Sequence, residues 1–196
     1  MSALAERMAN WLITNGTITE EDKEIYAYAI YSLILLSVPI TLVSVYEAIW
    51  GNIRGCVILM ITFLLIRRFC GGYHMDNPFL CMAFSGLTII LVVRLGTVNY
   101  TGRGLNYCLI IAFLMLMTND PVDTPNRRLD QEEKKRCKRM VICACCISLL
   151  SIILLHNRNM ILECRYVILG VIMAAVLQEM GLVKNRYNEK KHRVYP

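Results

Sequence analysis

Charged residues are few in this chain, 18% against 56% hydrophobic, and the apolar residues fall in long uninterrupted runs. That combination fits a polytopic membrane protein better than an ordinary soluble domain, which needs a charged surface around its core. Histidine is limited to His74, His156 and His192. No cysteine and histidine spacing matches a zinc site, so neither a metal nor another cofactor is expected. No glycine-rich phosphate loop and no nucleic-acid module occurs. The net charge of +6 therefore does not imply nucleic acid, because the basic residues sit between apolar runs, as topology determinants do. Met1–Trp11 carries Glu6 and Arg7 near its middle and lacks a small-residue cleavage site, so no cleaved signal peptide is expected. The nine cysteines are an odd number without framework spacing, and Cys143, Cys145 and Cys146 lie inside an apolar run. Free thiols fit that pattern better than a disulfide scaffold.

What the chain does have is a succession of apolar segments. Ile25–Tyr46 is uncharged and, at about 33 Å as a helix, long enough to span a bilayer. Pro39 should bend it. Cys56–Ile66, Phe79–Val93, Gly104–Met117, Met140–Leu155 and Tyr166–Met180 are shorter apolar runs that need polar flanks, local thinning or protein shielding to cross. The expected fold is all-α: a polytopic integral membrane protein of about six transmembrane or partly re-entrant helices plus an N-terminal amphipathic helix. In that first helix Leu4, Met8, Trp11 and Leu12 share a face, which either lies along the membrane or covers the bundle. Thr19 followed by Asp22 resembles a capping box for the next helix.

This divides the chain into an interfacial region at 1–24, one helical membrane domain at 25–180 and a basic tail at 181–196, with a basic connection at 118–139 inside the domain. Six alternating spans put all but five of the 21 Lys and Arg residues on one face, the exceptions being Arg54, Arg94, Arg103, Arg158 and Arg165. The positive-inside pattern then makes the chain a multi-pass protein of the cell membrane with both termini in the cytoplasm. In the 118–139 connection, Pro121 and Pro125 disfavour helix and LDQEEKKRCKRM favours it. This segment reads as an interfacial spacer, as a contact for anionic membrane lipids, or as a guide for a substrate.

The interrupted stretch RRFCGGYHMDNPFLC, residues 67–81, carries the chemistry. Gly71 and Gly72 permit a close approach or a turn. Asn77 is suited to cap a helix that begins at Pro78, which puts Cys81 just beyond the first turn. His74 lies seven residues before Cys81, too far for proton transfer along an unbroken helix, but a break at Asn77-Pro78 lets the imidazole fold back. His74 as general base and Cys81 as nucleophile form one reading; an interfacial histidine near a packed membrane cysteine forms the other. Cys70 competes as nucleophile. Asp76 either orients the imidazole or faces water. Arg67, Arg68 or the helix-start amides are candidates to receive an oxyanion. Tyr73 reads as an interface anchor.

The pattern R-x-x-G-G-x-H followed by cysteine seven residues later, seen here as Arg68, Gly71, Gly72, His74 and Cys81, together with PVDTPNRRL at Pro121–Leu129, resembles the accessory gene regulator B family of membrane cysteine endopeptidases. Members mature bacterial peptide pheromones. The resemblance implies that Cys81 is the nucleophile and His74 its partner. It also implies a precursor substrate with an amphipathic leader, a cysteine-containing centre and an acidic tail. The enzyme would remove the tail and pass the acyl group to the substrate's own cysteine, giving a thiolactone. Arg127, Arg128, Lys134 and Lys135 would then attract the acidic tail at the cytoplasmic face, and a homodimer is implied. Cys70 departs from the family, where a small non-thiol residue such as serine is more usual. The alternative function is a non-enzymatic peptide transporter or membrane scaffold, which would tolerate loss of Cys81.

Overall fold

The computed structural model describes residues 3–50, 52–73, 75, 77–98, 102–122 and 130–194. Its regular structure there is helical: α1 (Ala3–Thr14), α2 (Lys23–Ile49), α3 (Ile53–Cys70), α4 (Pro78–Thr97), α5 (Gly102–Thr118), α6 (Gln131–Asn157) and α7 (Ile161–Val194). Large apolar side chains point outward along these helices, among them Leu42 (66% exposed), Ile61 (63%) and Leu87 (69%). In water such a surface would be one continuous aggregation-prone patch; against lipid tails it costs nothing, while helices keep every backbone group paired. Phe79–Thr97, Gln131–Asn157 and Ile161–Tyr187 are each long and apolar enough to cross a bilayer. The protein is thus an all-α, multi-pass membrane protein. Ser37–Ile49 and Arg103–Thr118 are shorter apolar helical stretches.

Several helices outrun the apolar segments that announced them. α3 extends from Ile53 to Cys70 because Arg54, Arg67 and Arg68 continue the helix and their long stems can carry charge back to the interface. α2 continues past Tyr46 through Glu47 to Ile49, with Pro39 inside it. α7 carries on to Val194, so the basic tail from 181 begins as the last turns of the same helix. The expected Thr19/Asp22 capping box does not form. The Thr19 hydroxyl donates to the Asp22 carboxylate at 2.8 Å, and Asp22 makes no side-chain cap bond to α2. A full capping box opens α6 instead, from Asp130 and Glu133.

α1 packs through Ala5 and Ala9, both fully buried, and leaves Leu4, Met8 and Trp11 exposed. The small face meets the protein and the bulky face looks away, the arrangement suited to lying along a membrane surface. α7 is the most enclosed of the three helices long enough to cross a bilayer. Tyr166, Val171, Ala174 and Ala175 on it pack with Cys56, Leu59, Ile66 and Cys70 of α3 in one core. Gly170 lets α3 and α7 approach closely, since a Cβ there would sit 3.0 Å from the Leu59 carbonyl oxygen.

The two ends of the bundle are held differently. At one, Arg94 of α4 bonds the fully buried Glu47 of α2 at 3.1 Å and lies over the Tyr46 and Trp50 rings. Nearby Asn52 donates to the Tyr166 hydroxyl at 2.7 Å. At the other, the residues between α3 and α4 and those after α5 converge on α7. Val122 N–H donates to the Cys70 carbonyl and Tyr73 N–H to the Leu177 carbonyl, both at 2.9 Å. Gln178, buried, donates to the Asp120 carbonyl at 3.3 Å, and Asn119 donates to Glu179. This second end carries the site.

Candidate functional site

The site starts where α3 stops. Gly71 ends the helix at φ 69°, and Gly72 follows at φ 154°, both in the half of conformational space that side-chained residues avoid. Their lack of side chains has a second use. A Cβ on Gly71 would lie 2.8 Å from the Val122 carbonyl oxygen, and one on Gly72 only 1.6 Å from Nη1 of Arg67. The Arg67 side chain can therefore turn back across the glycines. Its Nη1 donates to the Gly71 carbonyl at 3.3 Å and its Nη2 to the Tyr73 carbonyl at 2.8 Å. Gly181 of α7 completes the fit by allowing the Gly72–Tyr73 backbone against α7.

α4 starts as its sequence directs. Asn77 Oδ1 accepts from the Phe79 N–H at 3.0 Å and the Leu80 N–H at 3.5 Å, and Pro78 occupies the first helical turn. The Cys81 N–H already donates to the Asn77 carbonyl at 3.0 Å. With proline contributing no donor, the amides at this helix start are committed, which removes them from the candidates for an oxyanion. The two arginines also part company. Arg68 is exposed and lies over the Phe69 ring, whereas Arg67 points inward.

Arg67 and half-buried Cys81 lie on the wall of one cavity of about 290 Å³ between α2, α3, α4 and α7, which Tyr73 and Met75 of the α3–α4 connection also line. The rest of the wall is largely apolar and includes Met60, Phe63, Phe84 and Met173. Burial draws the Arg67 pKa down from its ordinary value, while ionised Cys70 or Cys81 would hold it up; its cation is in electrostatic reach of both sulfurs. Such a group stabilises a thiolate or an oxyanion formed beside it. Cys70 lies past the apolar stretch of α3, yet it is fully buried and faces the core, its Sγ 3.2 Å from the Gly71 carbonyl oxygen. Burial pushes its thiol up to about 11, leaving little thiolate near neutrality. Cys81 opens on the cavity; Cys70 does not line it.

His74, Asp76, Arg127 and Arg128 lie outside the described residues. Met75, between the first two, lines the cavity. Lys134 and Lys135 sit on the first turns of α6, and no α6 residue contributes to the cavity wall. Beside Arg67, a second cation seated on the α3–α4 connection comes from α7: Lys184 Nζ is 5.5 Å from the Tyr73 ring centre. Tyr73, expected as an interface anchor, also packs edge-on against Phe84, with ring centres 6.3 Å apart. His156 is exposed at the far end of α6. Among the described residues no group of three or more His, Cys, Asp and Glu side chains is placed to hold a metal. Lys184 and the α2 and α7 parts of the wall carry no motif in the sequence; the apolar periodicity that makes them helix gives no sign of which face borders the cavity.

Comparison with known proteins agrees with the motif at residues 68–81. An AgrB-like protein 2 of Clostridium perfringens strain 13 is 24% identical over 176 residues, covering 83% of this chain and 81% of its own. A second AgrB-like protein, from strain SM101 of the same species, is 24% identical over 172 residues, covering 81% and 79%. No solved structure matches. The family model for accessory gene regulator B matches residues 5–178, which takes in most of α1, the Arg67–Cys81 stretch and the first half of α7, and on that match the chain belongs to the accessory gene regulator B family.

Proposed function

We propose that this protein is a membrane cysteine endopeptidase that removes the acidic tail of a pheromone precursor and closes the remaining peptide into a thiolactone. The observation that carries the reading is the placement of Cys81 on the first turns of α4, open to a cavity whose wall it shares with the caged guanidinium of Arg67. In this reading α2–α7 cross the membrane six times, α1 lies along it, and the termini and Cys81 are at the cytoplasmic face.

The chemistry follows from the groups assigned. His74 takes the proton of the Cys81 thiol, and the sulfur attacks the carbonyl carbon of the scissile peptide bond. Negative charge forms on the carbonyl oxygen, where Arg67 can accept it in a site sheltered from water. The carbon–nitrogen bond breaks, and the His74 imidazolium protonates the departing amine of the tail. The thioester left on Cys81 is then attacked by the thiol of the substrate's own cysteine. One thioester replaces another, so ring closure costs mainly conformational entropy, and Cys81 leaves with its proton restored. The basic cluster on α6 and the basic end of α7 attract an acidic tail, and a homodimer belongs to the same reading.

Co-expression with candidate precursors, short peptides with a cysteine-containing centre and an acidic tail, tests this. Mass analysis should find a shortened peptide, lighter by one water when cyclised, with the wild type and with Cys70→Ser. Cys81→Ala and His74→Ala should yield none. Full processing by Cys81→Ala would remove the nucleophile and return the protein to the transporter or scaffold class. Loss confined to Cys70→Ser would move the reactive role to the end of α3.

A further inference from the structure

α6 sends its basic residues in two directions. Lys134 and Lys138 continue the buried face of the helix, at spacings of three and four above Val141, Cys145 and Ser148, which pack inside the bundle. Both lysines are half-buried, and the Lys138 ammonium donates to the Thr118 carbonyl at 3.3 Å and to the Asp120 carboxylate at 3.2 Å. Lys135 and Arg139 turn the other way. With Ile142, Cys146, Leu150 and Ile153 they form one exposed stripe at the same spacings, and exposed Arg136 stands beside it above Cys143 and Ile147. Because α6 is long and apolar enough to cross a bilayer, the apolar part of that stripe faces lipid tails. Arg139 lies about one turn beyond Ile142, and Lys135 about 10 Å beyond it along the axis. The headgroup layer is roughly 5–7 Å deep on each side of a bilayer, and long basic stems bend their charges back into it. Exposed Glu132, one turn before Arg136, offsets one of the three charges.

We infer that Lys135, Arg136 and Arg139 form a docking surface for the headgroups of anionic phospholipids. Charge and direction together select that occupant. A second copy meeting this stripe across a two-fold axis would set the same three cations against each other, which disfavours a contact between copies here. An acidic peptide tail is drawn from a distance by positive charge of any orientation. A partner held by these side chains, however, must lie on the outer surface of α6, and no α6 residue lines the cavity that holds Cys81. The phosphates of the surrounding lipid are already at that height and on that side. The same turns carry Lys138, so lipid bound there also steadies the helix that holds Thr118 and Asp120, just ahead of the Val122 amide that bonds the Cys70 carbonyl. None of this depends on Cys81 being a nucleophile.

The test uses the full-length protein in detergent micelles doped with phosphatidylglycerol or with phosphatidylcholine, or with inorganic phosphate in the buffer. Native mass spectrometry counts the lipids retained, and thermal melting reads the stabilisation. Each cation near an anionic surface is worth about fivefold in binding, so the wild type should prefer phosphatidylglycerol to phosphatidylcholine by roughly tenfold or more and melt higher with it. Lys135→Gln/Arg136→Gln/Arg139→Gln should lose both effects, and Arg139→Gln alone should lose about fivefold in the preference. Lys135→Arg/Arg136→Lys/Arg139→Lys, which keeps the charges, should retain them. Lys134→Gln/Lys138→Gln, which alters the inward pair, should keep the lipid preference at whatever melting temperature it reaches. A preference that survives the outward glutamine substitutions overturns the docking surface. One lost equally with the inward pair also overturns it, since charge without direction would then govern. Equal stabilisation by inorganic phosphate would make the ligand a free anion and refute the lipid assignment. A wild type that dimerises without preferring phosphatidylglycerol, and becomes monomeric with the outward substitutions, would give the surface to a second copy instead.

Discussion

Replacing Gly72 by alanine should misplace Arg67 without touching it. The new Cβ would lie 1.6 Å from Nη1 of Arg67, where ordinary contact begins near 3.4 Å. The guanidinium must move by roughly 2 Å to restore normal packing. Its bond to the Tyr73 carbonyl, 2.8 Å, does not survive such a move, and the 3.3 Å bond to Gly71 is already long. Losing a hydrogen bond from a charged donor costs about 1.5–3 kcal/mol. An L-residue at φ 154° adds strain of about 1–3 kcal/mol. The expected loss in denaturant titration of the detergent-solubilised protein is therefore about 3 kcal/mol or more, accompanied by slower alkylation of Cys81. The decisive comparison places Gly72→Ala in an Arg67→Ala background. There the clash is gone and only the backbone strain and a 3.1 Å approach to the Leu177 carbonyl oxygen remain. The second penalty should be smaller than the first by about 1.5–3 kcal/mol, the part owed to the arginine. Penalties that add to within about 0.5 kcal/mol would mean that Gly72 and Arg67 act independently, and the cage argument would fail.

Asn77→Ala removes the acceptor for the Phe79 and Leu80 amides and should cost about 1 kcal/mol in unfolding, whereas Asn77→Asp should retain most of the cap; melting in detergent distinguishes them. Iodoacetamide at pH 8 should modify Cys81 while leaving Cys70 untouched until the protein is unfolded, because Cys70 is fully buried with its pKa near 11; equal labelling of the two in the folded state would contradict that burial. Arg94→Ala strands the buried Glu47 carboxylate and should destabilise by roughly 3 kcal/mol, the low end for a broken buried pair because Arg94 is partly exposed. Glu47→Gln, which removes the charge itself, should cost less, and a reversed order in unfolding titrations would show that loss of Arg94 does not strand a buried charge.

Part of this architecture is local enough to be written in the sequence. Long apolar runs separated by basic connections can only be helices in a bilayer, since no other open structure satisfies its own backbone there. Asn77-Pro78 sets the start of α4 because a cap acceptor and a residue that needs no donor are adjacent in the chain, and the position of Cys81 on its first turns follows from counting. Gly71 likewise ends α3 where it stands. Choices between equivalent neighbours were beyond the sequence. Arg67 and Arg68 are the same residue type one position apart, and a rotation of 100° on α3 sends one into the cavity and the other outward. Cys70 and Cys81 are both thiols beside glycine or a helix start, and only packing against the core closes one and leaves the other open. The partnership of Glu47 with Arg94, and the seating of Tyr73 on Leu177, join residues 47 and 104 positions apart. Contacts at such separation depend on how whole helices pack side by side, and hydrophobic periodicity carries no record of which neighbour each face will meet.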